Sequence, residues 1–156
     1  MTLPQIAMPA ISATLLISCG MESTERSDLP LPSATVARMF DMPLPKSAHS
    51  VYYLQHAGGM QDLEFYLRFD VDPSDIHKAA DDLVTWNKGV LGKHLAYPRA
   101  PLSASALSTP RIDFQPMPWW DPSSVTTGYY RGSIEAYALQ IIVDEGRSRI
   151  YLYQND

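Results

Sequence analysis

The chain has 156 residues, 46% of them hydrophobic and 19% charged, with a formal net charge of −5. That is enough for one domain with its own core, and it argues against wholesale disorder. The acidic balance argues against nucleic acid as a partner, which needs clustered Lys and Arg, and gives no reason to expect binding to anionic lipid headgroups.

Residues 6–17 form an apolar run interrupted by Pro9. The run is too short to cross a bilayer and has the length of the apolar part of a secretory signal. No Lys or Arg precedes it, so only the amino terminus supplies positive charge there. Leu16-Ile17-Ser18-Cys19 follows and contains the one cysteine of the chain. This stretch resembles the lipobox of bacterial lipoproteins. The resemblance implies that residues 1–18 are a signal peptide and that Cys19 carries lipid. It also implies an exported chain, held to a membrane through Cys19. Gly20 stands where Asp favours inner-membrane retention in such proteins, which implies the outer membrane, facing the periplasm. The other reading of these residues is an apolar start with a buried free cysteine. With Cys19 lipidated, no thiol remains for a disulfide, a zinc-cysteine site or a cysteine nucleophile.

Residues 19–44 read as a flexible tether rich in Pro and Ser. Pro30, Pro32 and Pro43 each fix φ and remove a donor, which interrupts regular structure. A short helical turn over residues 34–41 is expected inside it. Residues 45–156 then read as a single α+β domain.

Residues 51–55 are rich in β-formers, and the glycines at 58 and 59 can turn the chain. Leu63, Phe65, Leu67 and Phe69 alternate with Glu64, Tyr66, Arg68 and Asp70, the period of a strand with one buried face. Residues 51–70 are therefore a predicted hairpin. Asp72-Pro73-Ser74-Asp75 is a helix start, with a capping Asp and Pro in the first turn. Ile76, Ala79, Ala80, Leu83 and Trp86 follow at helical spacing, and Gly89 can end the helix. Residues 90–113 lack periodicity and carry three prolines, which suggests an irregular connection with one short strand. Residues 129–131 suggest another short strand. Tyr137, Leu139, Ile141 and Val143 mark one face of a strong strand, and residues 149–153 form the last one. The expected architecture is α+β, with a twisted antiparallel sheet of four or five strands and one main helix packed on a face. Phe65, Leu67, Leu83, Leu139 and Ile141 are the expected core.

The turn at residues 58–62, the Phe-rich strand ending at Phe69, the Pro73-led helix, Trp119-Trp120-Asp121-Pro122 and the closing Arg149-Ile150-Tyr151-Leu152-Tyr153 together resemble small uncharacterised bacterial lipoproteins. That resemblance runs from about residue 45 to the end. It supports the fold and implies no chemistry.

Candidate site residues fall into two groups. His56, Asp62 and Glu64 gather near the hairpin tip, where a His-carboxylate cluster can bind metal or exchange protons. Turn hydrogen bonding explains them as well. A metal site needs three or four convergent ligands and no ligand spacing here is diagnostic, so these three stay acid–base or metal candidates only and no metal, cofactor or catalytic residue is assigned. Trp119, Trp120, Tyr129 and Tyr130 form the second group. Exposed together, they suit contact with an envelope protein or glycan. Packed on the sheet, they are core, with one Trp buried and the other partly exposed. The sequence thus points to a non-enzymatic binding or structural module of the cell envelope. The alternative is a hydrolase acting on an envelope polymer, for which Asp62 and Glu64 lack an evident acid–base partner.

Overall fold

Alternating apolar residues build a sheet that is buried on both sides. The computed structural model describes residues 23–58, 63–91, 97–108, 117–132 and 139–155. Seven strands lie within them: β1 (Ser23–Arg26), β2 (His49–Ala57), β3 (Leu63–Asp70), β4 (Arg99–Pro101), β5 (Gly128–Gly132), β6 (Gln140–Asp144) and β7 (Arg149–Asn155). They form one antiparallel sheet in the order β1-β2-β3-β7-β6-β5-β4. The helices are α1 (Ser33–Met39), α2 (Ile76–Leu91) and the four-residue α3 (Ala104–Leu107).

The class is α+β, as the sequence suggests, and β2 and β3 pair as the predicted hairpin. The sheet is wider than the expected four or five strands. The additional width lies at its edges. β1 has four polar residues, and β4 has three residues ending in a proline. Neither is long enough or apolar enough to show a two-residue period.

One face of the sheet carries α1 and α2. Val51, Phe65, Leu67, Phe69, Leu139, Ile141, Val143, Ile150 and Leu152 pack there against Val36 of α1 and Ile76, Ala79, Ala80 and Leu83 of α2. The five expected core residues all belong to this cluster. Fully burying a Leu or Ile side chain contributes about 1.5–3 kcal/mol, so this layer is the main source of stability. The predicted stop at Gly89 does not hold, because α2 runs on to Leu91.

Residues 23–44 differ from the expected tether. β1 pairs with β2 from Ser23↔Ala57 to Arg26↔Leu54, and Leu31 bridges to Val51. Val36 and Met42 are buried in the core, with Leu31, Phe40 and Leu44 packed against it. The prolines do break regular structure here, but they do not prevent packing. Apolar residues between them dock on the sheet one by one.

The register of β2 contains the feature that positions the site. His49 pairs with Asp70, and the next pair is Tyr52 with Arg68. Two residues of β2, Ser50 and Val51, thus face one of β3, Phe69, which is a bulge. Ser50 takes up the difference at φ 50°, in the left-handed region. The bulge sets Tyr52 directly opposite Arg68.

Candidate functional site

The second face of the sheet carries the polar half of each alternating strand, yet it too is covered. Tyr66 and Tyr153 lie in contact on it, with ring centroids 4.8 Å apart. Trp119 and Trp120 come down on this face from the loop after residue 116. Trp120 meets Tyr66 edge-on at 5.1 Å and Tyr151 edge-on at 5.4 Å. Trp119 stacks on Tyr52, with centroids 5.6 Å apart and planes 15° off parallel. Trp119, Leu54, Tyr66 and Tyr153 make one buried cluster, while Ala106, Val125, Tyr130, Ile142 and Tyr151 make another. The short alternating strands therefore hold a second, aromatic core. Burial pushes the Tyr153 hydroxyl up to about 12, and burial also raises that of Tyr66.

Asp121 fastens this loop to the sheet. Its carboxylate accepts from Tyr151 Oη at 2.5 Å, Ser124 Oγ at 2.8 Å and Arg147 Nη1 at 3.0 Å. Arg147 also pairs with Asp144. Burial alone raises a carboxyl group's pKa, but the hydrogen bonds from Tyr151, Ser124 and Arg147 outweigh it, and Asp121 lies below its ordinary value. The rigid Pro-rich segment around the two tryptophans is thus pinned by charge as well as by packing.

Between this loop and the β1 edge lies a groove of about 440 Å³, lined by Arg26, Asp28, Tyr52, Arg68, Pro118 and Trp119. Arg26 stands on β1 and bonds Asp28 at 3.0 Å. Arg68 stands on β3, and its guanidinium lies 5.2 Å from the centre of the Tyr52 ring, within cation–π range. Its side chain is only 11% exposed. The Nη1 of Arg68 donates to the Trp119 carbonyl at 3.4 Å, and its Nη2 to Asp70 at 3.5 Å. Both bonds are long. Asp70 is held more closely by Arg149, at 2.6 and 3.3 Å. The Nε of Arg68 is buried with no hydrogen-bond partner among the described residues. A largely buried guanidinium, with two long bonds and an Nε that meets no partner among the described residues, thus lies beside a stacked aromatic pair.

The predicted site residues fare unevenly. Trp119, Tyr129 and Tyr130 are buried, and only Trp120 of that group is partly exposed. They do not form one exposed contact patch. Tyr129 packs on the helix side, whereas Tyr130 faces the other way. The expectation of one Trp buried and one partly exposed matches the structure, with Trp119 the buried one. Of the four aromatics, Trp119 lines the groove. His56 lies directly across from Glu64 and is within 2.9 Å of the Thr24 hydroxyl through Nδ1. Asp62 and Cys19 lie outside the described residues. No trio of His, Cys, Asp and Glu among the described residues is placed to hold a metal. Arg26, Tyr52 and Arg68 were not singled out from the sequence. Alternation alone assigns Arg68 to a solvent face, and its pairing with Tyr52 depends on the bulge at Ser50.

No known protein family, no curated protein and no solved structure matches the chain.

Proposed function

We propose that this chain is a lipid-anchored protein of the cell envelope that works by binding an envelope component rather than by catalysis. The contact site is the groove of Arg26, Tyr52, Arg68 and Trp119, and the observation that carries this reading is the underused Arg68 guanidinium beside the Tyr52–Trp119 stack. Charged and aromatic groups set in rigid strands lose little freedom on association.

The anchor is Cys19, on the strength of the lipobox resemblance, and Gly20 favours the outer membrane, facing the periplasm. Folding of residues from Ser23 onward leaves a short connection. From Cys19 to Ser23 a fully extended chain reaches at most ~14 Å. The lipid therefore holds the β1 edge, and the groove beside it, close to the bilayer. One main helix, α2, braces the opposite face of the sheet.

Two experiments test the reading. In cells given a palmitate analogue, the wild-type protein takes up label and Cys19→Ala does not; unlabelled wild-type protein overturns the anchor. The full chain, in detergent, co-sediments with insoluble envelope polysaccharide. Tyr52→Ala loses that association, while Lys78→Ala, on an exposed position of α2, keeps it. Equal behaviour of the two variants overturns the site.

A further inference from the structure

We propose that the groove takes a carboxylate-bearing sugar, a uronic acid residue within a glycan. This rests on the groove being the contact site and names the chemistry of its ligand. Two guanidiniums, Arg26 and Arg68, line the groove with one carboxylate, Asp28. The local balance is +1 in a chain whose formal net charge is −5. A monoanion suits that balance, and the charge on Asp28 opposes a dianion such as phosphate.

Arg68 selects a carboxylate. A guanidinium presents paired donors that match the two oxygens of a carboxylate, and charge-assisted bonds of this kind are the strongest hydrogen bonds a side chain makes. Among the described residues Arg68 makes two long bonds besides its contact with the Tyr52 ring, and the carboxylate of Asp70 is bound more tightly by Arg149. A buried charge left without close partners is costly, so an incoming carboxylate relieves a penalty already present.

The remainder of the groove favours a sugar ring over a peptide. Tyr52 and Arg68 stand on β2 and β3, and both strands are already paired on each side. At those two strands recognition therefore runs through side chains; the sheet's free edge at this end is β1, a four-residue strand of Ser, Thr, Glu and Arg that gives an extended peptide little length to pair with. Trp119 is buried and backs Tyr52, which is half-buried, so of the stacked pair it is Tyr52 that can meet the apolar face of a ring. A volume of about 440 Å³ lies in the usual range for small-ligand sites.

The test uses the full chain in detergent and three probes: an oligogalacturonate, the same oligosaccharide with its carboxyl groups reduced, and inorganic phosphate. Binding is read by tryptophan fluorescence and by calorimetry. The oligogalacturonate binds, and the reduced oligosaccharide and phosphate each bind at least tenfold more weakly. Arg68→Lys weakens oligogalacturonate binding at least tenfold. Arg26→Gln, on the edge strand and away from the core, does the same and guards against misfolding of the Arg68 variant. Equal binding of the reduced sugar, or phosphate binding as tightly as the uronate, overturns the proposal. So does full affinity in Arg26→Gln. If the uronate fails to bind while co-sedimentation with envelope polysaccharide still depends on Tyr52, the uronate assignment falls and the binding-module reading stands. If both fail, both fall.

Discussion

Asp121 is the residue on which the aromatic face depends, because it joins the tryptophan loop to Tyr151 on β7 and to Arg147 in the turn before it. Its side chain is 39% exposed, so solvent screens part of the interaction. Asp121→Asn should cost about 1 kcal/mol at neutral pH. The pH dependence has a definite sign. The carboxyl titrates lower in the folded chain than its model value of 3.8, so its contribution is complete above that value and is lost as pH falls through the lower folded one. Denaturant midpoints of wild type and Asp121→Asn should therefore differ by a constant amount from pH 7 to pH 5 and converge below about pH 4. A gap that widens on acidification contradicts this. On the other face, Leu139 is fully buried in the main core. Leu139→Ala should cost about 2–5 kcal/mol by lost transfer energy and a residual cavity, read from the same denaturation curves. An unchanged midpoint shows that the face is wrongly assigned.

Among the elements, legibility follows length and alternation. β3 and β7 are long and alternate, so their faces can be read directly from Phe65, Leu67, Ile150 and Leu152. α2 shows its buried stripe at Ile76, Ala79, Ala80 and Leu83. β1 has no apolar residue to signal it, and it forms only because β2 offers an edge. α1 lies between prolines and is held by the burial of Val36. The site is less legible than the fold for a related reason. Its residues come from β1, β2, β3 and the loop at Trp119, and they meet only through strand pairing and the bulge at Ser50. The double tryptophan was visible as a rigid segment, but which ring is buried depends on Tyr52 lying beneath Trp119. These elements make a test of the amino-terminal boundary. A chain beginning at residue 23 should keep the full melting temperature. One beginning at residue 45 loses Val36 and Met42 from the core and should melt several degrees lower, because each is a buried apolar side chain. Equal melting of the two chains returns residues 23–44 to the status of a spacer.

At the scale of the whole molecule, the sheet divides two tasks. The face under α1 and α2 is aliphatic and carries stability. The opposite face is aromatic and charged, and its loop cover leaves a groove at the β1–β2–β3 end. If Cys19 is the anchor, as proposed, the four-residue step from it to Ser23 bounds that end of the sheet to within ~14 Å of the lipidated residue. The most direct test is amide hydrogen exchange of the full chain with and without an oligogalacturonate, the ligand class proposed for the groove. Exchange should slow at residues 26–29 and 117–121, which border the groove, and stay unchanged along α2. Slowing confined to α2 or to the β4–β5 edge, or no change anywhere, contradicts a binding site on this face.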